Sequence, residues 1–259
     1  MRKRHAELVS ASTVAERSRS SWVENKKKNV LIFEIMSELK NIEAVIFDMD
    51  GVLLDTETIS FQAWRKAALE AGIDTEEGID AVQKMCMGRN RNDTISLLGE
   101  HYKNIGGFDA LSFLDRCSAI FREIADKDGI PLMPHVVECL EALKKRGAQI
   151  LLASSTRESV VRKQLTDAGI IGYFKTITTG DMVEHSKPEP DIYLLAAKTV
   201  GANPLNCVAV EDSPNGAESA VRAQMKCVLV PDKIMPDEAL KNRVWRVIDS
   251  LAELESTLF

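Results

Sequence analysis

Four short stretches carry acids, hydroxyls and a lysine, three of them at the ends of apolar runs. Asp48-Met49-Asp50-Gly51 follows Ala44-Val45-Ile46-Phe47, and Ser154-Ser155-Thr156 follows the run Gln149–Ala153. Glu211-Asp212-Ser213 follows Cys207–Val210, and Ser186-Lys187-Pro188 lies between the last two. Brought to one crevice, these groups suit a hard cation and a phosphoryl group. Magnesium takes oxygen ligands, chiefly carboxylates, phosphate and water. Lysine adds a compact positive charge, and hydroxyls and loop amides can donate to phosphate oxygens. Taken singly, each stretch has a plainer reading. Asp-Gly is turn chemistry, Ser154 and Ser155 could be helix N-caps, and Lys187 could be a solvated loop lysine. Glu211-Asp212-Ser213-Pro214 also reads as a helix start, with Pro near its first position and acids on the dipole. The two acids closing the first run weigh most, because carboxylates are costly to gather without a cation.

The elements that must position these residues follow from hydrophobic patterning. Ala44–Phe47 is continuously apolar, as a strand buried on both faces of a parallel sheet must be. Similar runs lie at 149–153, 207–210 and 226–230, with shorter candidates at 176–178 and 246–248. Helical stretches at 136–146, 158–168, 191–200 and 217–223 separate them, with Gly147, Gly169 and Gly201 at their ends. Strands alternating with helices predict an α/β fold built on a doubly wound parallel sheet. In such sheets the active crevice lies at the carboxyl ends of the strands, where three of the four stretches fall. The segment from 59 to 130 differs, offering helices at 61–71, 77–85, 92–102 and 111–125 and no convincing strand. The expected organisation is therefore an N-terminal extension at 1–37, a core at 38–58 and 131–259, and a helical insertion at 59–130.

Asp48-x-Asp50-Gly51-Val52-x-x-Asp55-Thr56-Glu57, then Ser154, Ser186-Lys187-Pro188-x-Pro190-Asp191 and Glu211-Asp212-Ser213, resemble the four signature motifs of the haloacid dehalogenase superfamily. The insertion resembles its C1 cap, a small all-helical domain placed after the first strand of a Rossmann-like core. Within the superfamily the chain is most similar to the β-phosphoglucomutase-like branch, which also holds many sugar-phosphate phosphatases. The likeness runs from Glu43 to about Asp232. It implies that Asp48 is the nucleophile and becomes an aspartyl-phosphate, with Asp50 as general acid and base. It further implies Mg2+ held by Asp48, the Asp50 backbone carbonyl and Asp212, with Glu211 as a ligand or a partner behind them. Ser154, Ser155 and Lys187 would hold phosphate oxygens. Members that displace halide lack the second aspartate, so Asp50 points to phosphate esters. In β-phosphoglucomutases a cap histidine lies twelve residues after the nucleophile, where this chain has Ser60. A cap lysine of that pattern falls on Met87, and a cap arginine is matched by Arg91, a candidate contact to the substrate's far end. The expected function is a phosphatase acting on a small phosphorylated metabolite, a sugar phosphate foremost. A phosphosugar mutase is the alternative, and a non-catalytic phosphometabolite-binding protein the third reading.

Bulk properties narrow the partners. The 259 residues suffice for one α/β core and a small accessory domain. A net charge of −6 gives no electrostatic reason to expect nucleic acid. That charge is unevenly spread: residues 1–30 carry +5 and the remainder −11. Residues 1–37 read as a disordered extension; an Arg- and Ser-rich transit peptide, or a true start at Met36, would also fit. Five cysteines, an odd number with no CxxC spacing, suit buried small hydrophobes in a reducing compartment. No apolar run approaches the roughly 20 residues of a membrane span. A cytoplasmic monomer or weak homo-oligomer, with neither membrane nor nucleic-acid partners, is expected.

Overall fold

The computed structural model describes residues 42–73, 76–86, 91–233 and 235–259. The extension at 1–37, Met36 and Met87 lie outside the described residues.

Six parallel strands form one sheet in the order β3-β2-β1-β4-β5-β6. They are β1 (Ala44–Phe47), β2 (Gln149–Ser154), β3 (Thr176–Thr179), β4 (Cys207–Glu211), β5 (Lys226–Leu229) and β6 (Arg246–Val247). β1 sits centrally, pairing Phe47 with Leu152 on one side and Val210 on the other. Its continuous apolar character follows from that position. Ala44 and Ile46 join one buried cluster with Tyr193, Ala196, Ala217 and Ala220, while Val45 and Phe47, on the opposite face, are equally buried. The five cysteines are free and buried. No helix among the described residues is long and apolar enough to cross a membrane.

Between β1 and Pro131 the described residues make four helices, α1 (Thr56–Glu70), α2 (Glu76–Cys86), α3 (Arg91–His101) and α4 (Ala110–Asp128). They share a buried cluster of their own, in which the Trp64 and Phe113 rings meet edge to face with centroids 5.5 Å apart. Helix α1 begins five residues before the expected Phe61. Asp55 is the reason: its carboxylate accepts the Thr58 N–H at 3.1 Å and caps the helix. Two chain segments join the insertion to the sheet, and they are tied together. The Asp55 N–H donates to the Pro131 carbonyl and the Met133 N–H to that of Leu53, each at 2.9 Å, around a bridge between Leu54 and Leu132.

The remaining helices that matter here are α5 (Val136–Lys145), α6 (Glu158–Asp167), α7 (Asp191–Thr199) and α8 (Pro214–Arg222). Helix α8 starts three residues before the expected Ala217, because Ser213 caps it through the Gly216 N–H and Pro214 fits the first turn. Helix α6 is not capped by Ser154 or Ser155. Its Glu158 N–H is instead satisfied by Asp181 at 3.1 Å.

Candidate active site

The carboxyl ends of β1, β2 and β4 and the loop before α7 converge on one charged cluster. Asp48, immediately after β1, is 7% exposed. The Lys187 ammonium donates to Asp48 Oδ1, to Glu211 Oε1 at 2.7 Å and to the Ala153 carbonyl at 3.1 Å. Burial works against the lysine's charge, but Asp48 and Glu211 outweigh it and hold the ammonium above the ordinary lysine value. Burial likewise pushes the Asp48 carboxyl up to about 7, with Lys187 pulling the other way. Asp212 is held well above the usual carboxylate range by burial and then by the neighbouring Glu211 and Asp48.

Asp48, Glu211 and Asp212 each offer an oxygen within 4.8 Å of the others, close enough to share a cation. Glu211 has little left to give. Its Oε1 accepts from Lys187 and from the Tyr193 hydroxyl at 2.7 Å, and its Oε2 from Ser213 Oγ at 3.2 Å and the Asp212 N–H at 3.3 Å. Two glycines make room for the acids. A Cβ added to Gly216 would stand 2.0 Å from the Glu211 carboxylate, and one on Gly51, whose φ is +76°, would stand 2.3 Å from Asp212 Oδ2. The first loop can therefore lie alongside Asp212 only because residue 51 lacks a side chain.

Asp50 keeps an edge open to solvent yet stands among protein groups. Burial raises its pKa against hydrogen bonds from Thr56 and from Thr156, whose hydroxyl lies 3.2 Å away. Ser154 is fully buried and its Oγ accepts the Thr156 N–H at 3.1 Å, which shapes the turn after β2. The next residue, Ser155, is exposed. Its carbonyl lies against Gly180, where a Cβ would come within 2.1 Å. Arg91 pairs with none of these groups. It is exposed at the start of α3 and ion-paired with Asp115 at 2.5 Å, on the wall of a cleft of about 640 Å³ between the insertion and α6.

The structure thus brings Asp48, Asp50, Ser154, Lys187, Glu211 and Asp212 together. Sequence reasoning passed over Tyr193 and Gly216, and met Thr56 and Thr156 as members of motifs with no part assigned beside Asp50. Tyr193 sits in a stretch read as plain helix, and nothing in an 18-residue separation announces its bond to Glu211.

Known proteins resemble this chain in sequence and in fold. The haloacid dehalogenase-like hydrolase family matches residues 42–224. The phosphorylated carbohydrates phosphatase of Thermotoga maritima is 32% identical over 185 residues, 70% of this chain and 82% of the relative. Hexitol phosphatase B of Escherichia coli K12 is 30% identical over 200 residues, 76% of this chain and 86% of the relative. Among solved structures, a hydrolase of the same family from Deinococcus radiodurans R1, with bound phosphate and sodium, superposes with a TM-score of 0.71. It is 27% identical, and the match covers 84% of this chain and 95% of that one.

Proposed function

Because this chain belongs to the haloacid dehalogenase-like hydrolase family, we propose that it is a phosphatase of small phosphorylated sugars or polyols, working through an aspartyl-phosphate on Asp48. The observation that carries this reading is the pairing of two aspartates in different surroundings. Asp48 is buried on Lys187, whereas Asp50, two residues on, keeps an open edge and two hydroxyl partners. One suits a nucleophile and the other a proton carrier.

In the first step an Asp48 carboxylate oxygen attacks phosphorus, and the bond from phosphorus to the sugar oxygen breaks. That oxygen leaves with a proton from Asp50. In the second step water attacks the same phosphorus and gives a proton back to Asp50. The bond to Asp48 breaks and inorganic phosphate departs. Lys187 and the loop after β2, including the Ser155 backbone amide, hold the phosphoryl oxygens on which charge accumulates. Thr56 and Thr156 keep Asp50 aimed. The buried, mutually repelling acids and the Gly51 cradle fit a divalent cation, with Asp48, Asp212 and the Asp50 carbonyl as its holders. Magnesium, when bound, supplies Lewis-acid stabilisation of phosphoryl charge. Glu211, with both oxygens engaged, acts by fixing Lys187 and the Asp212 amide. The helical insertion serves as the cap over this site.

The substrate class follows the relatives named for phosphorylated carbohydrates and hexitols. Ser60, in place of the mutase histidine, favours hydrolysis over isomerisation. The test is incubation with Mg2+ and a panel of hexose and hexitol phosphates, reading free phosphate and isomers separately. Phosphate release that disappears in Asp48→Asn, by on the order of a thousandfold or more, is the expected result. Isomer without phosphate, or near-native turnover by the Asn variant, would overturn it.

A further inference from the structure

Helix α6 follows the loop after β2 without a cap of its own. Arg157, at its N-cap position, makes no side-chain capping bond, and Ser154 Oγ is occupied by the Thr156 N–H. The cap comes from a single 3-10 turn after β3, Gly180–Met182. Asp181 Oδ1 there accepts the Glu158 N–H at 3.1 Å and the Thr179 hydroxyl at 2.6 Å. Thr179 ends β3 beside Ser154, which ends β2, and both are fully buried. The bond from Thr179 therefore fixes the direction of the Asp181 carboxylate. Hydrogen bonds, that of Thr179 first, hold its pKa below the usual carboxylate value. A charged acceptor on the first amide of a helix also suits the dipole.

The same turn meets the loop at two more points. The Gly180 N–H donates to the Thr156 carbonyl at 3.1 Å, and a Cβ on Gly180 would stand 2.1 Å from the Ser155 carbonyl oxygen. Ser155, Thr156 and Glu158 thus each rest their backbone on residues 180–181. That stretch carries two groups the mechanism uses: the Ser155 amide, for phosphoryl oxygens, and the Thr156 hydroxyl, 3.2 Å from Asp50. An amide aimed at developing charge is effective only if it is held in place beforehand. Ser155 is exposed, so packing of its own side chain does not hold it.

We infer that Asp181 is a positioning residue of the phosphate site: by capping α6 from the end of β3, it fixes the loop after β2 so that its amides meet the phosphoryl oxygens. The inference rests on the phosphatase reading, which places phosphate at this loop. Asp181 touches no substrate and acts through the backbone of residues 155–158. A cap that served stability alone would lower the unfolding midpoint and leave phosphate affinity untouched.

The experiment measures the Kd of inorganic phosphate with Mg2+ present, by phosphorus NMR titration, together with the unfolding midpoint. It uses wild type, Asp181→Ala, Asp181→Asn, Gly180→Ala and Leu165→Val. Asp181 is exposed, so its substitution opens no core. Asp181→Ala should weaken phosphate binding about fivefold, the equilibrium factor of a lost helix cap. Asp181→Asn, which keeps the acceptor, should bind within about twofold of wild type, since Asn and Asp cap helices about equally well. Gly180→Ala, which drives a methyl group into the Ser155 carbonyl, should weaken binding as well. Leu165→Val trims a fully buried side chain of α6 two turns from the loop, and should lower the midpoint while keeping wild-type affinity. Equal affinity in wild type, Asp181→Ala and Gly180→Ala would overturn the inference, and so would an equal loss in Leu165→Val. Wild type that binds no phosphate at all would instead overturn the phosphatase reading, and the inference with it.

Discussion

Asp50 stands between two threonine hydroxyls at the edge of a buried acid cluster, so replacing its carboxyl by an amide changes its chemistry while nearly keeping its shape. Asp50→Asn is expected to slow hydrolysis of a sugar phosphate on the order of a hundred- to ten-thousandfold. An aryl phosphate, whose phenoxide leaves without a proton, should suffer less in the first step, and phosphoenzyme should accumulate as a burst. Equal slowing of both esters without a burst would remove Asp50 from proton transfer. Gly216 is a second point of leverage. A methyl group there meets the Glu211 carboxylate at 2.0 Å, and Glu211 is pinned by Lys187, Tyr193 and Ser213. Gly216→Ala should cost about 1–3 kcal/mol of stability, the usual penalty for overpacking, and lower kcat by disturbing Lys187; thermal unfolding and steady-state kinetics check both. At this scale the charged groups were legible, because acids that end apolar runs stand out and Lys187 falls in a motif between two of them. Tyr193 was not, since an aromatic inside a helical stretch looks like ordinary packing until its partner is known.

Helices α1, α2 and α4 are stapled by ion pairs across their outer faces. Arg65 holds Asp80, and Arg116 reaches both Glu70 and Glu123. Hydrogen bonds from these arginines lower the pKa values of all three acids. A depressed folded pKa gives stability that is present above the unfolded value and lost as pH falls through the folded one. The insertion should therefore loosen below about pH 4, the range of unperturbed carboxylates. Amide protection factors in α1, α2 and α4, which are normalised to the intrinsic exchange rate at each pH, should fall at pH 3 relative to pH 6, and less so in an Arg65→Ala, Arg116→Ala double variant. An acid response identical in the double variant would show that other groups govern it. The four helices and six strands were legible from hydrophobic period, and their edges were not. Asp55-Thr56-Glu57 read as part of a chemical motif, yet Asp55 also caps α1, so one residue ends the loop and starts the helix.

Taken whole, the molecule gathers three carboxylates where its sheet is most enclosed, and a cation that binds only the folded state must stabilise it. At a concentration one hundred times its Kd, that linkage is worth about 2.7 kcal/mol, or roughly 5–10 °C in Tm for a chain of this size. Mg2+ should raise the unfolding midpoint accordingly and EDTA should reverse the shift. Asp212→Asn should abolish the shift and leave the metal-free protein as stable as wild type or more so, because one of the repelling charges is gone. A midpoint indifferent to Mg2+ in wild type would argue against the site.

The central placement of β1 also bears on how the chain is made. Its two neighbours in the sheet begin 105 and 163 residues after it, at Gln149 and Cys207. At about 5–20 residues per second, the ribosome delivers the end of β4 roughly 8–33 s after β1. In that interval the four helices of the insertion, whose contacts are short in sequence, emerge in full and can pack on one another. The nascent chain thus holds a compact helical module ahead of an apolar strand with no edge to join. A ribosome stalled before β2 clears the exit tunnel would display both, and β1 would then be the segment open to chaperone capture.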